Sequence, residues 1–135
     1  MSDDKKPDRK SLKVLQVEDS EIDAELVLRE LEQQGVSVES ARVWTEAVFR
    51  EALRTFNPDI ILSDNTMPTF DGLRALGLAR ELAPGTPFIF VSGSIRPDDA
   101  ANALKNGAAD YMVKDDIRGL AAAVDNALRL RRKMH

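Results

Sequence analysis

Five short apolar runs alternate with five amphipathic stretches along this chain, and no other feature restricts the fold as much. The runs lie at 12–17, 36–43, 60–62, 88–91 and 110–113. Each is too short for a helix and is bounded by turn or charged residues, which reads as a strand. After them, apolar residues recur at helical spacing: Ala24, Val27, Leu28 and Leu31; Phe49, Ala52, Leu53 and Phe56; Leu73, Leu76 and Leu78; Ala100, Ala103 and Leu104; Ile117, Leu120, Val124 and Leu128. Strands and helices joined by connections this short require a parallel sheet with helices on both faces. Right-handed crossovers leave few arrangements. The expected one is the doubly wound order 2-1-3-4-5, which sets strands 1 and 3 side by side at the switch point. The polar content of 36–43 assigns that strand to a sheet edge.

Local signals set the ends of these elements. Ser20 followed by Asp23 has the spacing of a capping box before the first helix. Gly35 terminates that helix, and Asn57-Pro58 stops the second, expected over 45–56. The third is expected over about 70–82, with Gly72 and Gly77 weakening it. Pro97 suits the first position of the fourth. Residues 1–10 are charged or small, with Pro7 among them, and have nothing to bury. They are expected to form a disordered tail, and 11–135 a single domain.

Composition removes several chemistries. The chain has no cysteine, which excludes disulfides and thiolate ligands, and its one histidine is His135. A Ser-His-Asp triad and a histidine metal cluster are thereby excluded. The net charge of −4 gives no general attraction to nucleic acid. Arg129, Arg131, Arg132 and Lys133 form a basic end, read as favourable charge at a helix C-terminus rather than a nucleic-acid contact. No apolar run reaches the roughly 18 residues of a membrane span. The opening residues also lack the apolar segment of a signal peptide, so a cytoplasmic protein is expected.

Parallel strands share one C-terminal edge, and chemistry in open α/β sheets is done there. The residues at that edge are Glu18-Asp19, Asp64, Ser92 and Lys114, and the second strand contributes none. Each has an ordinary local role as well: Asp19 as a helix cap, Asp64 and Ser92 as turn residues, Lys114 as a solvated loop lysine. Their shared edge is what singles them out. Three converging carboxylates cannot all stay ionised without compensation. A hard divalent cation supplies it, which suggests Mg²⁺ (or Mn²⁺) held by Glu18, Asp19 and Asp64. With charge neutralised, the Asp64 carboxylate can attack phosphorus to give an acyl phosphate. Lys114 and the Ser92 hydroxyl would bind the phosphoryl oxygens.

At these spacings the sequence resembles the receiver domain of bacterial response regulators (CheY-like), with a flavodoxin-like (βα)5 fold. The resemblance covers 12–130 and rests on Glu18-Asp19, Asp64-x-x-Met67-Pro68, Ser92-Gly93 and Tyr111-x-x-Lys114. It implies that 11–135 is a receiver domain of a two-component system. Asp64 would be the phosphoacceptor, and a histidine kinase or phosphotransfer protein the donor. Glu18, Asp19 and the Thr66 main-chain carbonyl would join Asp64 as metal ligands. Ser92 would be the switch hydroxyl and Lys114 the phosphoryl contact. Tyr111 would be the aromatic whose rotamer couples to Ser92. Output would be a change on the surface of the fourth helix, fifth strand and fifth helix, read by a downstream protein. The fourth helix has a mostly alanine apolar face, which suits a mobile element. Such a module is not an enzyme beyond its own phosphorylation and dephosphorylation.

One departure stands out: the family usually has Lys-Pro where this chain has Lys114-Asp115. A cis bond before a non-proline residue costs about 2.5–4 kcal/mol, so a trans bond is expected. Asp115 or Asp116 is then expected to cap the fifth helix. Three other readings compete. An aspartyl-nucleophile phosphatase also uses an Asp after a buried strand, but haloacid-dehalogenase-type enzymes place a second Asp two residues on, where this chain has Thr66. A flavin-binding flavodoxin needs a Ser/Thr/Gly-rich loop after the first strand, where this chain is acidic. The third is a receiver-shaped interaction module that is never phosphorylated.

Overall fold

The computed structural model describes residues 11–93 and 96–133. The expected tail at 1–10 and His135 lie outside the described residues. Ten elements alternate strictly: β1 (Leu12–Val17), α1 (Glu21–Gln33), β2 (Val38–Val43), α2 (Glu46–Thr55), β3 (Ile60–Ser63), α3 (Gly72–Leu82), β4 (Phe88–Ser92), α4 (Pro97–Lys105), β5 (Asp110–Val113) and α5 (Leu120–Lys133). The strands form one sheet in the order β2-β1-β3-β4-β5, and every pairing is parallel. This is the flavodoxin-like arrangement the alternation implies, with β2 at the edge.

The two-residue period of the strands divides the core in two. Val14, Ile60, Leu62, Ile89 and Val91 point to one face, under Val27 and Leu31 of α1 and Leu120, Val124 and Ala127 of α5. Leu15, Val17, Ile61, Phe88, Phe90 and Tyr111 point to the other, under Phe49 and Leu53 of α2, Leu76 and Leu78 of α3, and Ala103 of α4. The three central strands are buried throughout or nearly so. They therefore read as apolar runs rather than alternating ones.

Several boundaries differ from the sequence expectation for identifiable reasons. Strand β2 begins at Val38, not 36, because Gly35 takes φ +89° and closes α1 as a Schellman motif. The Val36 N–H donates to the Leu31 carbonyl at 3.0 Å and the Gly35 N–H to that of Glu32 at 3.0 Å. Leu73 and Leu104 are exposed rather than facing the core, so the buried side of α4 is narrower than its sequence suggests. Neither Asp115 nor Asp116 caps α5, which starts only at Leu120. Instead Lys114 and Asp115 sit in a turn closed by the Asp116 N–H on the Val113 carbonyl at 2.9 Å. The Asp116 carboxylate accepts from Arg118. Ile117 precedes the helix and still packs against its core face. Among the described residues no peptide bond is cis, so Lys114–Asp115 is trans.

Candidate functional site

The site is an extension of the sheet ladder by one residue per strand. The Glu18 N–H donates to the Val43 carbonyl at 2.9 Å, Asp64 N–H to Val17 at 2.9 Å, and Lys114 N–H to Ser92 at 2.7 Å. Glu18, Asp64 and Lys114 are thus fixed by the neighbouring strand at the point where regular pairing ends. Glu18 and Ser92 are buried and Asp64 nearly so, whereas Asp19 is exposed. A carboxylate oxygen from each of Glu18, Asp19 and Asp64 lies within 4.8 Å of the other two.

Lys114 crosses this cluster from β5. Its Nζ lies 2.7 Å from Glu18 Oε1, 2.7 Å from Asp23 Oδ2 and 3.4 Å from Asp64 Oδ2. Burial by itself would lower the pKa of this ammonium. Hydrogen bonds to Asp23 and Glu18, with the charge of Asp64, outweigh burial and raise it, so the lysine stays cationic. Burial pushes the Glu18 carboxyl up, against the pull of Lys114 and of the Ser20 N–H on its Oε2 at 3.1 Å. Glu18, Asp19, Asp64 and Asp23 gather around the single ammonium of Lys114, which leaves the cluster short of positive charge. All-oxygen donors, an anionic surplus and one open side fit a hard divalent cation of the magnesium type.

Asp64 is held from both ends. The Ser63 hydroxyl donates to its carbonyl at 2.8 Å, and the Thr66 N–H points at Oδ1 at 3.4 Å. Behind it, α3 comes so close that a Cβ on Gly72 would sit 2.8 Å from the Asp64 carbonyl, the Asn65 Cα and the Phe90 ring. Gly72 is thus required by close approach, not merely tolerated as a weak spot in the helix. Tyr111 is buried, its ring 5.4 Å from that of Phe90. Its hydroxyl accepts from Asn65 Nδ2 at 3.2 Å.

Every residue expected at this edge is there, and two more join them. Asp23 was expected to complete a capping box; half of it forms. Its N–H donates to Ser20 Oγ at 3.2 Å, but its carboxylate leaves the helix for Lys114. Arg42 corrects the expectation that the second strand contributes nothing. Its Nη1 donates to the carbonyls of Glu18 at 3.2 Å and Asp19 at 3.4 Å, and its guanidinium lies 4.6 Å from the Trp44 ring. A cavity of about 500 Å³ opens at the opposite end of the sheet, beside Arg80, Phe88 and Leu130. Among the described residues its lining includes no acid.

The fold and this edge are those of a receiver module, and comparison with known proteins agrees. The pattern of the response regulator receiver domain matches residues 14–125, and the chain belongs to that family. It is 38% identical over 79 residues to the DNA-binding transcriptional regulator NtrC of Proteus hauseri, covering 58% of this chain and 17% of that protein. It is 33% identical over 121 residues to protein-glutamate methylesterase/protein-glutamine glutaminase 6 of Anaeromyxobacter dehalogenans, covering 89% of this chain and 34% of that protein. The chain thus corresponds to a small part of these larger proteins. The receiver domain of Francisella response regulator 1452 superposes with a TM-score of 0.75 at 26% identity, covering 89% of this chain and 98% of that one. A CheY-like receiver domain protein from Methanospirillum hungatei does so with a TM-score of 0.78 at 24% identity, covering 93% and 100%, which supports the fold.

Proposed function

We propose that this chain is the phosphoacceptor receiver of a two-component relay, phosphorylated on Asp64 by a histidine kinase or phosphotransfer protein. The observation that carries this is the convergence of Glu18, Asp19, Asp64 and Lys114 on one open edge of the sheet. Asp64 presents its carboxylate to an incoming phosphorus. One of its oxygens forms the new O–P bond as the donor's P–N bond breaks, and the imidazole keeps that electron pair. Lys114, held cationic, meets a phosphoryl oxygen, and the buried Ser92 hydroxyl is the candidate for another. A magnesium or manganese ion held by Glu18, Asp19, Asp64 and the Thr66 main-chain carbonyl would supply charge neutralisation at the phosphoryl group.

The product adds roughly −1.5 to −2 charge at the edge. Ser92 and Tyr111 are the residues through which that charge reaches the surface of α4, β5 and α5, where a downstream protein would read it. Such a module is a switch rather than a turnover enzyme, with a cytoplasmic setting, and makes no nucleic-acid contact of its own. No helix among the described residues is long and apolar enough to cross a membrane. Incubation with a divalent cation and a small phosphodonor such as acetyl phosphate tests the proposal. One phosphoryl group is expected on the wild-type chain and none on Asp64→Asn. Repeated hydrolysis of phosphate esters would instead favour the phosphatase reading.

A further inference from the structure

Asp23 sits at the third position of α1, where an acidic side chain ordinarily serves its own helix N-terminus. Here the N–H of Asp23 takes the Ser20 cap, while the carboxylate turns outward to Lys114 across 91 residues of sequence. The ammonium has three protons and, among the described residues, three carboxylate neighbours. It lies at 2.7 Å from Glu18 and from Asp23, but at 3.4 Å from Asp64. Two acids thus hold Lys114 closely, and the reactive one holds it loosely. Glu18 and Asp64 belong to the acidic cluster suited to a cation; Asp23 does not. It is the one partner of Lys114 with no second task at the site. It is also the most exposed of the three, at 37% against 6% for Glu18 and 11% for Asp64.

We propose that Asp23 is a positioning residue that restrains Lys114, holding the ammonium back from Asp64 until a phosphoryl group draws it across. This rests on Asp64 being the phosphoacceptor. An anionic phosphoryl group on Asp64 competes with Asp23 for the same ammonium, and the loser is the group that solvent reaches most easily. Asp23 therefore sets how readily the site accepts a phosphoryl group and how firmly it keeps one. Removing its charge leaves Lys114 paired to Glu18 and free to close on Asp64. It also removes one negative charge facing an anionic donor.

Asp23→Asn preserves shape and the N–H that caps α1, and is the variant of choice. Phosphorylation by acetyl phosphate is expected to rise on the order of three- to tenfold, the effect of one unscreened charge a few ångströms away. Asp23→Glu, which restores the charge, is expected to return most of that gain. A second readout needs neither donor nor cation: the ammonium resonance of Lys114 in ¹⁵N-labelled protein should shift in Asp23→Asn. An unchanged resonance with unchanged rates would overturn the restraint, leaving Asp23 only its place in the helix cap. Slower phosphorylation in Asp23→Asn would overturn it too, because the carboxylate would then be delivering Lys114 rather than withholding it. Failure of the wild-type chain to accept any phosphoryl group would instead strike at Asp64 itself, while the resonance still reports on Asp23.

Discussion

Asn65 and Tyr111 are joined by a hydrogen bond of 3.2 Å from the Asn65 amide to the tyrosine hydroxyl. Asn65 follows Asp64 directly, and Tyr111 stands three residues before Lys114. The bond therefore ties the backbone beside Asp64, the proposed phosphoacceptor, to the strand that carries Lys114. It also gives the buried hydroxyl of Tyr111 a partner within the protein.

Tyr111→Phe keeps the ring against Phe90 and removes only this bond. Stability is expected to fall by about 0.5–1.5 kcal/mol, measured by urea denaturation. Asp64 and Lys114 stay in place, so phosphoryl uptake should persist. The amide shifts that phosphorylation induces in α4 and β5 should shrink. Full-sized shifts in Tyr111→Phe would remove Tyr111 from the signal path.

Gly72→Ala is expected to damage both stability and the site. The added methyl meets two backbone atoms and a buried ring at 2.8 Å each, and none of them is a flexible chain end. Overpacking of this kind costs about 1–3 kcal/mol. Because two of the atoms belong to Asp64 and Asn65, loss of phosphoryl uptake should accompany the loss of stability. Gly77, with open space around its Cβ position, is the matched control and should tolerate alanine.

Lys114→Ala leaves Glu18 and Asp64 without their cation. The expected cost is about 1–3 kcal/mol, below that of a fully buried pair because Asp23 is 37% exposed. Mg²⁺ should raise the melting temperature of this variant more than that of the wild type, since the remaining acids have no other compensation. Calorimetry with and without the cation checks both effects.

Glu46 and Arg74 clamp α2 to α3 through two hydrogen bonds, of 2.9 and 3.1 Å. The Arg74 hydrogen bond holds the Glu46 carboxyl below its ordinary 4.5 against the opposing effect of burial, and the Arg50 hydrogen bond adds to it. A carboxylate depressed in the folded state stabilises above its unfolded pKa, and that contribution is lost as pH falls through the folded value. The melting-temperature difference between wild type and Arg74→Ala should hold steady at neutral pH and close below about pH 4.

The sheet order, the edge position of β2 and the edge residues Glu18, Asp19, Asp64, Ser92 and Lys114 were all legible in the sequence. They depend on periodicity and on where an apolar run stops, which are local properties. Asp23 was hidden because Ser20-x-x-Asp23 already had a local explanation as a cap, and only the fold brings Lys114 to it. Arg42 was hidden because a long side chain on an edge strand reaches a neighbour that no spacing rule names. The need for glycine at position 72 comes from α3 pressing on the loop after β3, a contact between distant layers. The turn after Lys114 escaped because acidic residues before a helix suggest a cap, whereas Asp116 is used by the turn and by Arg118.

Intact-mass spectrometry after incubation with acetyl phosphate and Mg²⁺ reads phosphoryl transfer to Asp64 itself. One added phosphoryl group is expected on the wild-type chain, none when the cation is chelated beforehand, and none on Asp64→Asn. No addition to the wild type, or equal addition to Asp64→Asn, would contradict it.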